Sequence, residues 1–141
     1  MEDDVEYGIQ FEYDGEIYQS SLSKPLYTPE INSVSWTQPE EEGQVFFHVS
    51  THDFTEGAKY FVWNYVEDWE FKLAEDVTYC WKNNKSNTYL IGSTEKLSEN
   101  RIINKQLYQH NSEDKRFERL YSVIVTQKAI SRGVLMNFIK M

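Results

Sequence analysis

The stretch AKYFVWNYVEDWEF, residues 58–71, is the longest run of β-branched and aromatic residues in the chain. Successive side chains of a strand point to opposite faces, so a period of two sorts this stretch into two rows. One row holds Tyr60, Val62, Asn64 and Val66, and the other holds Phe61, Trp63, Tyr65, Trp69 and Phe71. Because both rows are mostly apolar, the pattern predicts a strand that is covered on two sides.

Shorter strand signals lie on both sides of this run, at residues 31–36, 44–50, 79–81, 88–91 and 117–127. Turn-forming residues separate them, as in the acidic turn 40–43 and the polar turn 82–87. Short strands that recur every 10 to 15 residues or so with turns between them are typical of an antiparallel sandwich. Residues 98–103 are interpreted as a single helical turn.

The N-terminal part predicts a β-hairpin over residues 6–21. Tyr7, Ile9, Phe11 and Tyr13 alternate on one face, and Asp14-Gly15 then supplies a dipeptide that tolerates positive φ. Residues 20–29 contain two prolines and predict an extended connection.

At the other end, Ser131 fits a helix N-cap and apolar residues recur at helical spacing at Val134, Leu135, Phe138 and Ile139. The sequence therefore divides into a hairpin and linker at 1–28, which we interpret as the remnant of a preceding sandwich domain, a sandwich at 29–130, and the start of a truncated C-terminal helix at 131–141. We expect the natural chain to continue beyond this helix.

Three segments resemble the B, C and F strands of a fibronectin type III domain: residues 29–39 with Trp36, residues 60–65, and residues 120–125. Such a domain buries the tryptophan between its two sheets. The expected fold class is therefore all-β, an antiparallel immunoglobulin/fibronectin type III-like β-sandwich with a short C-terminal helix, in which Trp36 is buried. This fold by itself indicates no activity.

The composition limits the class of protein. With 141 residues the chain has room for one ordinary domain. Its formal net charge of -9 repels phosphate backbones and anionic headgroups, so we expect no nucleic-acid partner. No apolar run approaches the roughly 20 residues of a membrane span, and the acidic start Met1-Glu2-Asp3-Asp4 differs from a signal peptide.

The aromatic residues offer one candidate binding site. Trp63, Tyr65, Trp69 and Trp81, with Phe71, form a ladder that can stack on a sugar, a peptide or another flat ligand. The alternative is that these rings form the core, because aromatic side chains supply most of the burial in a small sandwich. The binding interpretation requires several of the rings to be exposed together.

The carboxylates beside the ladder offer a candidate catalytic site. Alternation places Glu67 on the face opposite Asp68 and Glu70. Burial of one carboxylate among the aromatic rings is expected to raise its pKa, as the general acid of a glycan hydrolase requires. The alternative is that these acids are solvated at a strand end, and the chain lacks the phosphate-loop, nucleophile-elbow and metalloprotease motifs.

The sequence contains few residues that could bind a metal or form a disulfide. His48 and His52 are four residues apart, a separation of about 13 Å along a strand, and His110 has no partner that can be identified from the sequence. We therefore predict no metal and no cofactor. Cys80 is the single cysteine, and it is either a buried apolar residue or half of a bridge to a segment outside this chain.

Several strings occur together in a characteristic order: residues 14–20 (DGEIYQS), 29–34 (PEINSV), 60–65 running into 69–71, Cys80-Trp81, residues 91–94 with 97–98, and residues 119–123 to 130–131. In that order and spacing the chain resembles the domain-of-unknown-function family numbered 4249 over nearly its whole length. These are secreted lipoproteins of Gram-negative bacteria, encoded beside TonB-dependent outer-membrane transporters.

The resemblance implies a non-enzymatic accessory module that partners such a transporter in nutrient capture, for a carbohydrate, a peptide or another small nutrient. It implies a location at the outer membrane or cell surface through a lipid anchor, which this chain does not contain. It assigns no catalytic residue, and it favours Cys80 as half of a disulfide to a missing segment. The alternatives are a glycan-active enzyme that uses Glu67 or Glu70, and a purely structural spacer.

Overall fold

The computed structural model describes residues 5–55, 57–73 and 78–134, and their regular elements are almost all strands. In chain order these are β1 (Gln10–Tyr13), β2 (Glu16–Gln19), β3 (Ile31–Thr37), β4 (Gln44–His52), β5 (Tyr60–Lys72), β6 (Tyr79–Lys85), β7 (Leu90–Ser93), β8 (Arg101–Asn111), a 3₁₀ helix (Lys115–Phe117) and β9 (Tyr121–Ile130).

The strands from β3 onwards form two antiparallel sheets. The first has the order β3-β4-β8. In the second, the long strand β5 is central, with β7 and β6 paired one after the other along one edge and β9 paired along the other. Core residues come from both sheets, so the fold is the all-β antiparallel sandwich that the sequence predicts.

Period-two alternation positions the core. On β4 every second residue is buried, from Val45 to Thr51. On β5 the row that contains Phe61 and Trp63 points inward, and these two side chains are 0% and 1% exposed. One cluster packs Val49 and Ile102 of the first sheet against this pair, and a second cluster lies around Phe47 and Tyr108.

Gly92 on β7 shows how tightly the larger cluster is packed. A Cβ atom built on Gly92 would lie 2.7 Å from two ring carbons of Trp63 and 3.3 Å from a methyl carbon of Ile102. Real side chains do not approach so closely, so only glycine lets the indole lie against the strand backbone.

Trp36 is not buried as predicted, because it is 63% exposed. Its strand β3 is the edge of the three-stranded sheet, and β4 takes the central place. In the described residues the opposing sheet ends at β9, which leaves a shallow groove beside Trp36 that is lined by Val45, Phe47, Phe117 and Tyr121. Trp63 on β5 is buried instead, with 1% of its surface exposed.

The predicted helical turn at residues 98–103 is also wrong. Residues from Arg101 onwards belong to β8, which pairs with β4 over its whole length. Two register shifts interrupt this pairing, and Asn104 adopts a φ of 48° beside one of them, where its backbone N–H donates to Ser50 Oγ at 3.0 Å. These irregularities break the period of two that would have identified the strand.

The terminal elements follow the sequence in part. The hairpin is confirmed: β1 and β2 are joined by Asp14 and Gly15, with φ values of 54° and 78°. The strand predicted at 117–127 begins only at Tyr121, because residues 115–117 form the 3₁₀ helix. Residues 132–134 are helical after Ser131, whose Oγ accepts from the Val134 N–H at 3.4 Å. Leu135, Phe138 and Ile139 lie outside the described residues.

Candidate functional site

The centre of the candidate site is Glu67, a carboxylate in the inward row of β5. Its neighbours in this row are Tyr65 and Trp69, and its side chain is 0% exposed. A buried carboxylate is tolerated only when hydrogen bonds or opposite charges compensate for the lost hydration. The surroundings of Glu67 supply both.

Four donors from four different elements converge on this carboxylate. Oε1 accepts from Tyr121 OH of β9 at 2.6 Å and from Arg116 Nη1 of the 3₁₀ helix at 3.0 Å, and it lies 2.6 Å from His110 Nε2 of β8. Oε2 accepts from Asn84 Nδ2 of β6 at 2.8 Å. Glu67 therefore ties both sheets to the connection between β8 and β9.

This environment fixes the protonation state of Glu67. Burial alone would raise the pKa of the carboxyl group, but the hydrogen bonds from His110, Tyr121 and Asn84 and the charge of His110 together lower that pKa to about 2. The raised pKa that the sequence suggested for a buried carboxylate here is therefore wrong. Glu67 is an anion at any physiological pH.

The donors around Glu67 form a network of their own. Tyr108 OH lies 2.9 Å from Tyr121 OH, and burial raises the pKa of both phenols, so both stay protonated. His110 Nε2 lies 2.7 Å from Arg116 Nη1 as well as close to Glu67. When Nε2 carries the proton it donates to Glu67 and cannot accept from Arg116 at the same time.

Arg116 is held on several sides. Its backbone N–H donates to Asp114 Oδ1 at 3.0 Å, and its guanidinium carbon lies 4.9 Å from the centroid of the Trp69 ring. Nε is buried and lies 3.1 Å from Asp114 Oδ1, but without the geometry of a hydrogen bond. The guanidinium is thus positioned between buried Glu67 and the protein surface.

The aromatic ladder is divided between the core and the surface. Trp63 is 1% exposed and Trp69 is 8% exposed, while Tyr65 stacks on Tyr108 with ring centroids 3.8 Å apart. Trp81 pairs with Glu70 on the outer face of the sheet and is 60% exposed. The four rings that the sequence analysis predicted as a ligand-binding site therefore do not share one exposed surface.

The other nominated residues lie apart from this network. As alternation predicted, Glu70 is on the face opposite Glu67, and its Oε2 accepts from Arg119 Nε at 2.9 Å. His48 and His52 lie along β4, and in the described residues no group of three His, Cys, Asp or Glu side chains is arranged to hold a metal. Cys80 is half-buried on β6 opposite Phe71, and its pairing with a missing segment stays a prediction.

Sequence reasoning missed the partners of Glu67. Arg116, Tyr121 and Asn84 come from segments far apart in the chain, and no spacing connects them. The sequence pattern could still have indicated that Glu67 has partners. A carboxylate that lies between Tyr65 and Trp69 on a buried face requires hydrogen-bond donors.

Comparison with known proteins adds a family and nothing finer. The family model described as "Domain of unknown function (DUF4249)" matches residues 1–134. No curated protein and no solved structure matches the chain. Within the part of the chain that the structure describes, no helix is long and apolar enough to cross a membrane.

Proposed function

Because the chain belongs to the DUF4249 family, we propose that it is a non-enzymatic accessory module of a surface lipoprotein that partners a TonB-dependent transporter in nutrient capture. The partner and the location in this proposal are what the family resemblance implies. The exposed apolar face of the hairpin supports the proposal as a surface suited to such a partner.

The observation that carries the proposal is the exposed apolar face of the hairpin. Ile9, Phe11 and Tyr13 of this region are 72%, 57% and 71% exposed, and Tyr18 stacks on Phe11 with centroids 5.2 Å apart. The register pairs Phe11 with Tyr18, so these rings share one face. An isolated two-stranded hairpin is marginally stable in water, and a contiguous apolar face of this kind is typical of an interaction surface.

The negative charge of the hairpin favours a partner surface that is positively charged. Residues 5–23 contain Glu6, Glu12, Asp14 and Glu16 and no lysine, arginine or histidine. A surface that is both apolar and basic complements this segment, since charge complementarity accelerates association and rejects wrong partners. We assign this complementary surface to the transporter.

Glu67 and Glu70 support binding over glycan hydrolysis. A general acid needs a pKa near the working pH and access to the glycosidic oxygen. Glu67 has a pKa of about 2 and a fully buried side chain. Glu70 lies on the other face of the sheet in an ion pair with Arg119. No described contact favours the spacer alternative.

The proposal is tested by affinity purification from the membranes of the native cell. The tagged protein is expected to retain a TonB-dependent transporter, identified by mass spectrometry, and Phe11→Ser/Tyr18→Ser is expected to lose it. Leu120→Ser/Ile124→Ser is the matched control, because these residues are 56% and 63% exposed on the sandwich. Retention of the transporter by the hairpin variant, or its absence from the wild-type sample, overturns the proposal.

A further inference from the structure

A groove of about 510 Å³ opens beside the site, between the end of the β5-β6 pair and the 3₁₀ helix. Its cationic lining residues are Lys72, Lys82, Lys115 and Arg116. Two carboxylates, Asp114 and Glu118, also line it. This excess of cations contrasts with a formal net charge of -9 for the whole chain.

The three lysine side chains of this groove are exposed to solvent. In residues 5–55, 57–73 and 78–134, none of Lys72, Lys82 and Lys115 pairs with an acidic side chain. The one described contact of the Lys82 ammonium is with the Trp69 ring, whose centroid lies 5.7 Å from Nζ. Cations left unpaired beside an apolar wall are available to an incoming anion.

Arg116 adds a rigid donor to the groove. Its Nη1 is fixed by Glu67, whereas its Nη2 makes no hydrogen bond to a described residue. Since Glu67 is buried and already ionised, the guanidinium is held in place before any ligand arrives. A guanidinium held in this way binds carboxylate, phosphate and sulfate oxygens well.

We infer that this groove is an anion-binding site for a ligand that carries a carboxylate, phosphate or sulfate group. Lys82 and Lys115 supply exposed charges, Arg116 supplies a positioned donor, and Trp69 forms an apolar wall. The inference stands independently of the transporter partnership, because it concerns a small ligand and none of the residues that line the groove belongs to the hairpin.

The test is an NMR titration of the ¹⁵N-labelled protein with sodium phosphate, sodium sulfate and sodium acetate, each at an ionic strength held constant with sodium chloride. At least one anion is expected to give saturable shifts at the Trp69 indole and the Arg116 amide. Phosphate or sulfate binding without acetate binding identifies a tetrahedral anion, and the reverse pattern identifies a carboxylate.

Two double variants separate a site from general charge attraction. Lys82→Gln/Lys115→Gln is expected to weaken binding by about tenfold or more, since both removed charges lie in the groove. Lys96→Gln/Lys128→Gln lowers the net charge by the same amount at exposed positions outside the groove, and we expect a change below about twofold. Equal weakening in both variants, or linear shifts with all three anions, overturns the inference.

Discussion

At the scale of single residues, Glu67 is the position where the environment decides the chemistry. The same carboxylate on an exposed strand end would be an ordinary surface acid. Buried between Tyr65 and Trp69 with four donors around it, it is an anion at physiological pH and holds Arg116 in place. Its low pKa makes it a contributor to stability rather than a source of protons.

This property predicts a specific pH dependence. Folding lowers the pKa of Glu67 from its ordinary value of about 4.5 to about 2, so its contribution to stability is fully present above pH 4.5 and is lost as the pH falls towards 2. The linked free energy of unfolding is about 3 kcal/mol. In urea unfolding at a series of pH values, Glu67→Gln is expected to show a flatter decline between pH 4.5 and 2 than the wild type.

Glu70→Gln is the control, since it breaks a partly exposed ion pair with Arg119 that is worth below about 1 kcal/mol. The free energy of unfolding of Glu70→Gln should fall with decreasing pH as steeply as that of the wild type. If the stability of Glu67→Gln and of the wild type declined equally steeply between pH 4.5 and 2, folding would not be stabilising the anionic form of Glu67.

At the scale of elements, the hairpin and the sandwich each contain a turn in which a glycine has a positive φ. Gly15 joins β1 to β2 with a φ of 78°, and Gly43 precedes β4 with a φ of 58°. All residues of β1 and β2 are exposed, whereas β4 contributes half of its residues to the core. Backbone strain at Gly15 should therefore destabilise the hairpin, and strain at Gly43 should destabilise the sandwich.

Gly15→Ala places a Cβ in the left-handed region at a cost of about 1 kcal/mol, and it is expected to depopulate the hairpin alone. The loss is measured by the cross-strand NOE between Phe11 and Tyr18. Sandwich unfolding, followed by tryptophan fluorescence, should stay unchanged. Gly43→Ala should instead lower the free energy of unfolding of the sandwich by about 1 kcal/mol. An equal effect of both variants on the sandwich would mean that the hairpin unfolds together with it.

At the scale of the whole molecule, Gln127 on β9 connects parts that the chain separates widely. Its Oε1 accepts from Trp63 Nε1 at 2.7 Å, and its Nε2 donates to Thr51 Oγ1 at 3.0 Å and to the Pro29 carbonyl at 2.8 Å. One amide thus joins the two sheets to each other and to the linker that follows the hairpin.

Gln127→Leu is expected to lower the free energy of unfolding by about 2 to 3 kcal/mol, because it removes the acceptor of the Trp63 N–H and the donor to the Pro29 carbonyl. Urea unfolding measures this loss. Gln109→Leu is matched in chemistry, but its partner is the exposed Gln106, so a change below about 0.5 kcal/mol is expected. A similar loss in both variants would contradict the role of Gln127 as a bridge.

Strands whose alternation is unbroken can be identified from the amino-acid sequence alone. Residues 44–50 and 60–71, and the Asp14-Gly15 turn, were identifiable because side-chain period and turn chemistry are local properties. The same local logic placed Glu67 opposite Glu70. It failed at β8, where two register shifts hide the period, and at Trp36, where burial depends on which strand becomes the edge.

The candidate sites, in contrast, form only when distant segments pack together. Glu67, Asn84, His110, Arg116 and Tyr121 meet because two sheets and a 3₁₀ helix bring them to one place, and the sign of the pKa shift follows from that meeting. The groove proposed to bind anions likewise combines lysines from β5, β6 and the 3₁₀ helix, which are distant in sequence. A pattern along one chain fixes the direction of a side chain, but the partners that it meets are fixed by the packing of segments that are distant in sequence.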